Sequence, residues 1–367
     1  MKVLYFTRDY TPHDYRFLNA ICGNGDEVFY LRLETRNLYE SRPLPEAVRT
    51  VEWEFGKEPF DMESGEERAV EALRAVYESI RPDVVHSGPL TDCSYLAAKA
   101  GMHPHAAMSW GFDLGREIET DPKAYERAKY ALSRADWFLG DCYVELEKAS
   151  ELGYGRERAT IFPWGIDVDR FSPAPSAFRS EISDDGDFLV LSLRTMEPNY
   201  DVETVVRAFL SAVRSEPRMR LILLGDGRQM PKLKAIAADD PNGSRVSFLG
   251  RQPNDLLVDY YRSCDLYVSA SIVDGSSVSL MEAMGCGIPV LMSAIPGNLE
   301  WVRDGENGLI FPVGDVCGLA EKMLYCCRNR DKQMQYASSA RKLIEEKADW
   351  NKNKKEIHTA YRKACGL

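Results

Sequence analysis

Short apolar segments alternate with helical patterns almost throughout this sequence, and that alternation limits the possible folds more than any other feature. Buried strands joined by helices form mainly parallel sheets with right-handed crossovers. In the first part of the chain we predict strands at residues 3–7, 27–33, 83–86, 106–110, 137–140 and 160–162, with helices at 66–80, 94–100, 125–133 and 144–151.

The alternation is interrupted once, at residues 163–175, where turn-forming residues follow one another without a period. We interpret this segment as an interdomain linker. The sequence therefore predicts an α/β protein with two doubly wound domains, residues 1–166 and 167–349, and a C-terminal helix at about 350–367 that packs back onto the first. Ligands bind such sheets at the carboxyl ends of the strands, so two facing domains would hold them in a cleft. In the second domain we predict strands at residues 188–193, 220–224, 246–249, 265–270 and 288–292, with helices at 202–213, 230–238, 255–262 and 278–285.

The composition argues against several classes of protein. Lys and Arg number 46 against 57 Asp and Glu, so the net charge of −11 disfavours a nucleic acid partner. The nine cysteines contain no C-x-x-C spacing, which argues against a zinc site and against a secreted disulfide framework. No apolar stretch approaches the ~18 residues of a transmembrane helix. We expect a cytoplasmic protein, and peripheral contact with the inner membrane face stays open.

The most informative window is residues 264–292. A predicted strand ends in the loop Asp274, Gly275, Ser276 and Ser277, and a helix follows at once. Main-chain N–H groups at a helix N-terminus favour anions such as a diphosphate. Asp274 and Glu282 are negatively charged, so they are better suited to accepting hydrogen bonds from hydroxyl groups than to binding the diphosphate. The alternative is that Asp274 caps the helix and Glu282 is a solvated helix residue.

Residues 274–290 resemble the E-x7-E signature of family 4 (group 1) glycosyltransferases, retaining enzymes of GT-B architecture. Residues 163–171 are similar to the linker of that family, residues 223–227 to its second strand in the C-terminal domain, and residues 301–311 to a following loop. Several motifs in the right order make the resemblance specific. It implies the GT-B fold, with two Rossmann-like domains facing across a cleft.

The resemblance also implies roles for individual residues. Glu282 would bind the ribose hydroxyls of a nucleotide sugar, and Asp274, in place of the usual first Glu, would hold hydroxyls of the donor sugar. Arg194 would neutralise the leaving diphosphate. The remaining donor-site residues would bind the diphosphate through main-chain N–H groups (Gly275, Ser276, Ser277 and Val278) or line the base (Leu249 and Gly250).

Two departures from the family pattern concern charge and acid–base groups. The family's Lys, about five residues after the Arg, is replaced by the uncharged Asn199 or Tyr200. Arg228 is a candidate substitute, although an exposed surface role suits it better. The family's His-Gly-Ser-Asp pattern reads Trp110-Gly-Phe-Asp113 here, so the usual His is absent and Asp113 becomes the candidate active-site polar group.

The first domain is expected to bind the acceptor, with candidates Asp9, Tyr10 and His13 after the first strand and His86 and Trp110 near the ends of others. Turn and capping roles suit the first three equally well. The Asp167-Val-Asp169 sequence matches a metal-binding D-x-D motif, but it lies in the predicted linker, so we expect no metal.

The expected function is retaining transfer of a sugar from a nucleotide diphosphate sugar to a glycan, lipid-linked or small-molecule acceptor, in glycan, glycolipid or cell-envelope biosynthesis. The resemblance favours UDP first and GDP second, and it implies no cofactor other than the nucleotide sugar as co-substrate. Because the family Lys and His are missing, a non-catalytic nucleotide-sugar-binding or regulatory protein is the alternative. A GT-B sugar epimerase fits the 274–282 window less well.

Overall fold

The structure is a computed structural model that describes residues 1–35, 40, 42–176, 178–184 and 186–367. Two compact units divide the chain: Met1–Pro163 with Asn351–Leu367 form the first unit, and Trp164–Trp350 form the second. Each unit contains one parallel sheet.

The first unit is built on a seven-stranded sheet in the order β3-β2-β1-β4-β5-β6-β7. All pairs are parallel, and β1 pairs through Val3 with Val28 on one side and Val84 on the other. The strands are β1 Lys2–Thr7, β2 Glu27–Arg32, β3 Val48–Thr50, β4 Val84–Gly88, β5 His105–Met108, β6 Trp137–Gly140 and β7 Ala159–Ile161, and the helices are α1 Pro12–Gly23, α2 Met62–Ile80, α3 Tyr95–Lys99, α4 Ile118–Thr120, α5 Pro122–Arg134 and α6 Tyr143–Glu151.

The second unit repeats this plan with six strands in the order β10-β9-β8-β11-β12-β13. Successive residues of β8 alternate between its faces, so Val190 belongs to one hydrophobic core and Leu189 to the other. Its elements are α7 Arg179–Ile182, β8 Phe188–Leu193, α8 Val202–Ala212, β9 Met219–Leu224, α9 Met230–Ala238, β10 Val246–Gly250, α10 Leu257–Ser263, β11 Leu266–Ser269, α11 Val278–Gly285, β12 Val290–Ser293, α12 Pro296–Leu299, β13 Leu309–Phe311, α13 Val316–Arg328 and α14 Arg330–Lys347.

The end of the chain returns to the first unit. After α14 come α15 Trp350–Asn353 and α16 Lys355–Ala364, and residues 351–367 belong to the first unit. Tyr361 of α16 is fully buried there, and its hydroxyl lies 2.6 Å from His86 Nδ1. Between α14 and α15 the helical segment is interrupted, and Trp350 N donates to Ile166 O at 2.8 Å.

The segment interpreted as a linker is an integral part of the second unit. The boundary between the units falls after Pro163, and Ile166, Val168 and Phe171 are buried in a core of the second unit. A Cβ at Gly285 would lie 2.4 Å from Ile166 Cδ1, so glycine at that position lets the segment pack closely. Most of the segment predicted as an interdomain linker therefore packs within the second unit, where Ile166 lies against the end of α11.

Candidate functional site

The strand order of the second unit brings two loops together. β8, the first strand of this sheet, lies between β9 and β11, so the strand order reverses direction at β8. Open α/β sheets bind ligands at such a switch point. Arg194 directly follows β8, and the loop of residues 274–277, which we call the Gly-Ser loop, follows β11. The residues singled out from the sequence thus meet at one edge of the sheet.

Arg194 is the centre of the resulting cluster. Its Nη2 donates to Asp274 Oδ2 at 2.6 Å, and its Nη1 donates to Ser277 Oγ at 2.8 Å and Ser279 Oγ at 3.1 Å. The guanidinium carbon also lies 4.0 Å from the ring centroid of Tyr200, within the range of a cation–π contact. One guanidinium therefore bridges the strand end, the Gly-Ser loop and the first turn of α11.

The electrostatics of this pair follow from burial and mutual attraction. The Arg194 side chain is 10% exposed and that of Asp274 is 19% exposed. Burial disfavours the charged guanidinium, but the carboxylate of Asp274 and three neighbouring tyrosines together more than offset this and raise the pKa of Arg194. Burial raises the pKa of the Asp274 carboxyl above its usual value, and Arg194 opposes that rise. The site thus holds a fixed positive charge.

Close packing shapes the Gly-Ser loop. A Cβ added at Gly297, in α12, would lie 2.5 Å from Gly275 O and 2.6 Å from Asp274 O. Trp301 Nε1 donates to Ser276 Oγ at 3.1 Å. Ser277 is the N-cap residue of α11, so Asp274 does not cap this helix. The loop is therefore supported from α12 while α11 directs its N-terminus toward it.

Glu282 is buried, which contradicts its interpretation as a solvated helix residue. It is 8% exposed, and its Oε2 accepts a hydrogen bond of 2.9 Å from the Tyr261 hydroxyl. Tyr267 donates to Ser279 Oγ at 2.8 Å. Two buried tyrosines therefore orient polar groups on α11.

Loops after neighbouring strands complete this edge. Gly225 and Gly250 both have positive φ, and Gly225 N donates to Gly250 O at 2.8 Å. Leu249 is partly exposed. Arg228, in the loop after β9, is exposed and paired with Glu197 at 2.7 Å.

In the first unit, several acceptor-side candidates gather at the carboxyl ends of their strands. The rings of His13 and Trp110 are 5.6 Å apart, and a Cβ at Gly88 would lie 2.6 Å from Trp110 Nε1. Burial lowers the pKa of His13 to about 3, so its imidazole is neutral at physiological pH. Asp9 and Tyr10 are largely buried; Asp9 Oδ1 accepts from Tyr10 N at 2.8 Å, in keeping with a turn role.

His86 and Asp113 do not face open space. His86 is fully buried between the Tyr361 hydroxyl, 2.6 Å away, and Met108 Sδ, 3.3 Å away. Asp113 is fully buried too, accepting from Leu90 N at 2.8 Å and Trp110 N at 3.0 Å. Packing and hydrogen bonding thus occupy both groups in this structure, and the acceptor role expected of His86 and the catalytic role expected of Asp113 remain predictions.

Asp113 and Glu145 form a buried carboxyl pair that Ser109 bridges. Ser109 Oγ is 2.8 Å from Asp113 Oδ1 and 2.9 Å from Glu145 Oε1, although its hydroxyl has only one proton to donate. Burial raises the pKa of Asp113 to about 6 and that of Glu145 well above its usual value, consistent with one of the two carboxyls being protonated and donating to Ser109 Oγ. Within the described ranges, Asp141, Cys142 and Glu145 also form a group whose potential metal-ligand atoms lie within 4.8 Å. Because Glu145 already accepts from Asp141 N, we assign no metal there.

Sequence reasoning missed Arg8, which follows β1. It pairs with Asp92, lies 3.7 Å from Glu117 and 4.0 Å from Glu34, and borders a cavity of about 240 Å³. Its position directly after the first strand was the available signal. The D-x-D sequence has a local structural role, since Asp167 Oδ1 accepts from Asp169 N and Arg170 N, each at 3.1 Å.

Known structures share this architecture. HepE from Anabaena, solved in complex with UDP, superposes with a TM-score of 0.80, covering 98% of this chain and 99% of its own at 18% identity. Sucrose-phosphate synthase from Thermosynechococcus elongatus superposes with a TM-score of 0.84, covering 99% and 98% at 17% identity. The chain has the GT-B fold, as the sequence predicted.

The sequence matches are consistent with this fold. Residues 174–343 match the model of the family described as glycosyl transferases group 1. A D-inositol 3-phosphate glycosyltransferase of Nocardia farcinica is 29% identical over 56% of this chain and 48% of its own length. The matched segment thus spans about half of that relative. The second unit thus matches the group 1 glycosyl transferases over residues 174–343, in agreement with the resemblance seen in its motifs.

Over the part of the chain that the structure describes, no helix is long and apolar enough to cross a membrane.

Proposed function

We propose that this protein is a retaining, metal-independent glycosyltransferase that moves a sugar from a nucleotide diphosphate sugar to an acceptor hydroxyl. The observation that carries the proposal is the Arg194 cluster beside the N-terminus of α11, at the switch point of the second sheet. UDP-sugars are the first donor class to test, because the similar fold of HepE was solved with UDP, and GDP-sugars are the second.

Three features would bind the diphosphate. The main-chain N–H groups of residues 275–278 and the dipole of α11 favour negative charge, and Arg194 adds a buried cation. Tyr200 stacks on Arg194 where the family has its Lys, so the second cation must come from elsewhere. Arg228 is the candidate: Glu197 holds it in the loop after β9, and that loop pairs with the loop after β8 through the hydrogen bond from Met196 N to Asp226 O.

Glu282 and Asp274 would divide the recognition of hydroxyl groups. Glu282, oriented by Tyr261, would accept from the ribose hydroxyls, and Asp274 from the donor sugar. Leu249 and Gly250 would lie against the base. Because Asp274 is ion-paired with Arg194, a bound diphosphate would compete for that guanidinium and leave Asp274 available to the sugar.

The reaction would need no side-chain nucleophile. The bond between the anomeric carbon and the diphosphate oxygen breaks while the acceptor oxygen attacks from the same face, and the departing diphosphate oxygen takes the acceptor proton. Arg194 and the α11 N-terminus would stabilise the charge that develops on the diphosphate. We assign the acceptor to the first unit, as a glycan, lipid-linked or small molecule in cytoplasmic glycan, glycolipid or cell-envelope biosynthesis, with peripheral membrane contact for a lipid-linked one.

The test combines calorimetric titration of UDP- and GDP-sugars with an assay of released nucleoside diphosphate. Glu282→Ala should abolish donor binding, whereas Asp274→Ala should chiefly reduce sugar selectivity and turnover. Glu321→Ala, at an exposed position of α13, is the matched control. Unchanged donor affinity in Glu282→Ala would contradict the proposal, and tight binding without nucleotide release would support the non-catalytic alternative.

A further inference from the structure

A cavity of about 600 Å³ lies at the edge of the second sheet opposite to Arg194, and its volume is within the usual range for small-molecule sites. Phe188, at the start of β8, borders it, together with Asp265 before β11 and Pro289 before β12. The cavity is therefore at the amino ends of the strands, whereas Arg194 follows the carboxyl end of β8. The proposed transfer reaction makes no use of this edge.

Positive charge prevails around the cavity. Among the described residues, two arginines border it, Arg262 and Arg330, but only one carboxylate, that of Asp265. Asp265 is already neutralised by a residue outside the lining, because its Oδ2 accepts from Arg179 Nη2 at 2.9 Å. Three guanidinium groups thus meet one carboxylate, in a chain whose overall net charge is −11. The cavity would therefore attract an anion although the chain as a whole is acidic.

Arg262, on α10, keeps part of its guanidinium available. Its Nε donates to Ser172 O at 2.8 Å, and its Nη2 donates to Arg170 O at 2.9 Å. Its Nη1 is accessible and has no hydrogen-bond partner among the residues that the structure describes, and within the same ranges Arg262 forms no ion pair. The main chain of the preceding segment therefore fixes the orientation of a guanidinium whose Nη1 can still donate to a ligand.

Arg330, the first residue of α14, is still less engaged. Its side chain is 52% exposed, and its guanidinium carbon lies 5.2 Å from the ring centroid of Phe188 in the cavity wall. Asp265 Oδ1 is 3.8 Å away, beyond hydrogen-bond distance, and Arg330 donates no side-chain hydrogen bond to a described residue. Since α14 begins at this point, its N-terminus adds positive potential.

The helix ends that would repel an anion here are neutralised. α10 and α11 end at this edge, and carbonyl oxygens at a helix C-terminus carry partial negative charge. Ser263 O, at the end of α10, accepts from Arg179 Nη1 at 2.6 Å. Gly285 O, at the end of α11, accepts from Arg341 Nη1 at 2.7 Å. Two further arginines thus cover these carbonyl oxygens, and the positive charge at the cavity is not cancelled by them.

The remaining walls are largely apolar. Ile288 contributes to them, and Met334, which is 57% exposed, stands at the border of the cavity. Burial raises the pKa of Cys286 and Cys326 to about 12 and that of Cys264 further. These three thiols therefore stay protonated, behave as small apolar groups and add no negative charge.

We propose that this cavity is a second ligand site, for a small organic anion in which an apolar body carries a carboxylate. Arg262 Nη1 and Arg330 would donate to the carboxylate, and Phe188 and Ile288 would contact the apolar body. Hydrogen bonds between ionised groups are about twice as strong as those between neutral groups, so the charge of the ligand should dominate its selection. The inference does not depend on the proposed transferase activity.

The first experiment compares hydrocinnamate, an aromatic ring that carries a carboxylate, with its neutral amide in calorimetric titrations at low ionic strength. The wild-type protein should bind hydrocinnamate saturably and the amide about tenfold more weakly, because the amide lacks the charge that the two guanidinium groups attract. Equal affinities for the two compounds, or no saturable binding of hydrocinnamate, would overturn the proposal.

The second experiment locates the bound anion by substitution. Arg330→Met should weaken hydrocinnamate binding by about tenfold, because a charged donor is lost. Its melting temperature should stay close to that of the wild type, since Arg330 is exposed. Arg328→Met removes the same charge at an exposed position that does not border the cavity, and should keep the affinity within about twofold. Equal affinities of the two variants, whether retained or reduced, would refute the site.

Discussion

The two sheets repeat one strand order, but their switch points differ in charge. In both units an arginine follows the first strand and pairs with a carboxylate beyond the fourth: Arg8 with Asp92, and Arg194 with Asp274. Glu34 and Glu117 also lie within 4.0 Å of Arg8, whereas Arg194 meets the hydroxyls of Ser277 and Ser279.

This difference shows how one topology accommodates different ligands. Carboxylates outnumber the guanidinium around Arg8, so an anion would be repelled there and an uncharged polar molecule would fit better. Around Arg194 a single carboxylate is balanced and the N-terminus of α11 adds positive potential, which suits a diphosphate. In our proposal the side chains at the strand ends, and not the sheet itself, set the ligand preference of each unit.

The largest expected effect comes from exchanging the two arginines for methionine. Arg194→Met should lower the rate of nucleotide release by about 10²–10³-fold, because a preorganised cation at the leaving group is lost. Arg8→Met should leave the affinity for the nucleotide sugar within about twofold, since the two units have separate roles in our proposal. Steady-state rates and calorimetric titration of both variants measure this contrast.

If Arg8→Met weakened donor binding as much as Arg194→Met, the division of roles between the two switch points would be wrong. Circular dichroism of both variants checks that each retains its fold, since Arg194 is largely buried and its loss leaves Asp274 without its counter-charge.

A smaller effect is expected from Gly297→Ala. The new methyl group would lie within 2.6 Å of the carbonyl oxygens of Gly275 and Asp274, so the Gly-Ser loop must shift. Displacing main-chain donors should weaken nucleotide-sugar binding by about tenfold or more. Gly23→Ala, where an added Cβ meets nothing within 4 Å at the end of α1, is the matched control. Equal affinities for the two variants would contradict the assignment of the loop to the diphosphate.

The third prediction concerns the pH dependence of stability in the first unit. Burial raises the pKa of Asp14 to about 7 against the hydrogen bonds from Thr11, so the folded protein binds this proton more tightly than the unfolded chain. The protonated Asp14 carboxyl therefore stabilises the fold fully below about pH 4. This contribution is lost as the pH rises through 7, and the free energy of unfolding falls by up to about 1.4 kcal/mol per pH unit.

Asp14→Asn should flatten this slope in denaturant titrations at pH 5.5 and 7.5, and Asp331→Asn, at an exposed position of α14, should not. An unchanged slope in Asp14→Asn would mean that other groups, such as the pair of Asp113 and Glu145, carry the titration.

The second unit could be predicted well because its signals are local. β8, α9 and α11 occur at the predicted residues, since their apolar runs and turn residues define both ends. Arg194 and Asp274 were assigned roles through the family resemblance, and the parallel topology, which gathers the carboxyl ends of strands at one edge, brings them together. The roles of these residues remain predictions.

The first unit was less predictable because its critical contacts are distant in sequence. His86 was expected at an open strand end, but Tyr361, 275 residues later, covers it. Helix α1 was overlooked because residues 8–15 resembled a polar loop, although Thr11 and Asp14 form a capping box at its start. Strand β3 has only three residues and gives little periodic signal.

The return of α16 to the first unit affects how the protein is made. Residues 164–350 are synthesised before the segment that covers His86. The first unit therefore gains its complete core only after the whole of the second unit has been synthesised, and until then the surface around His86 stays uncovered.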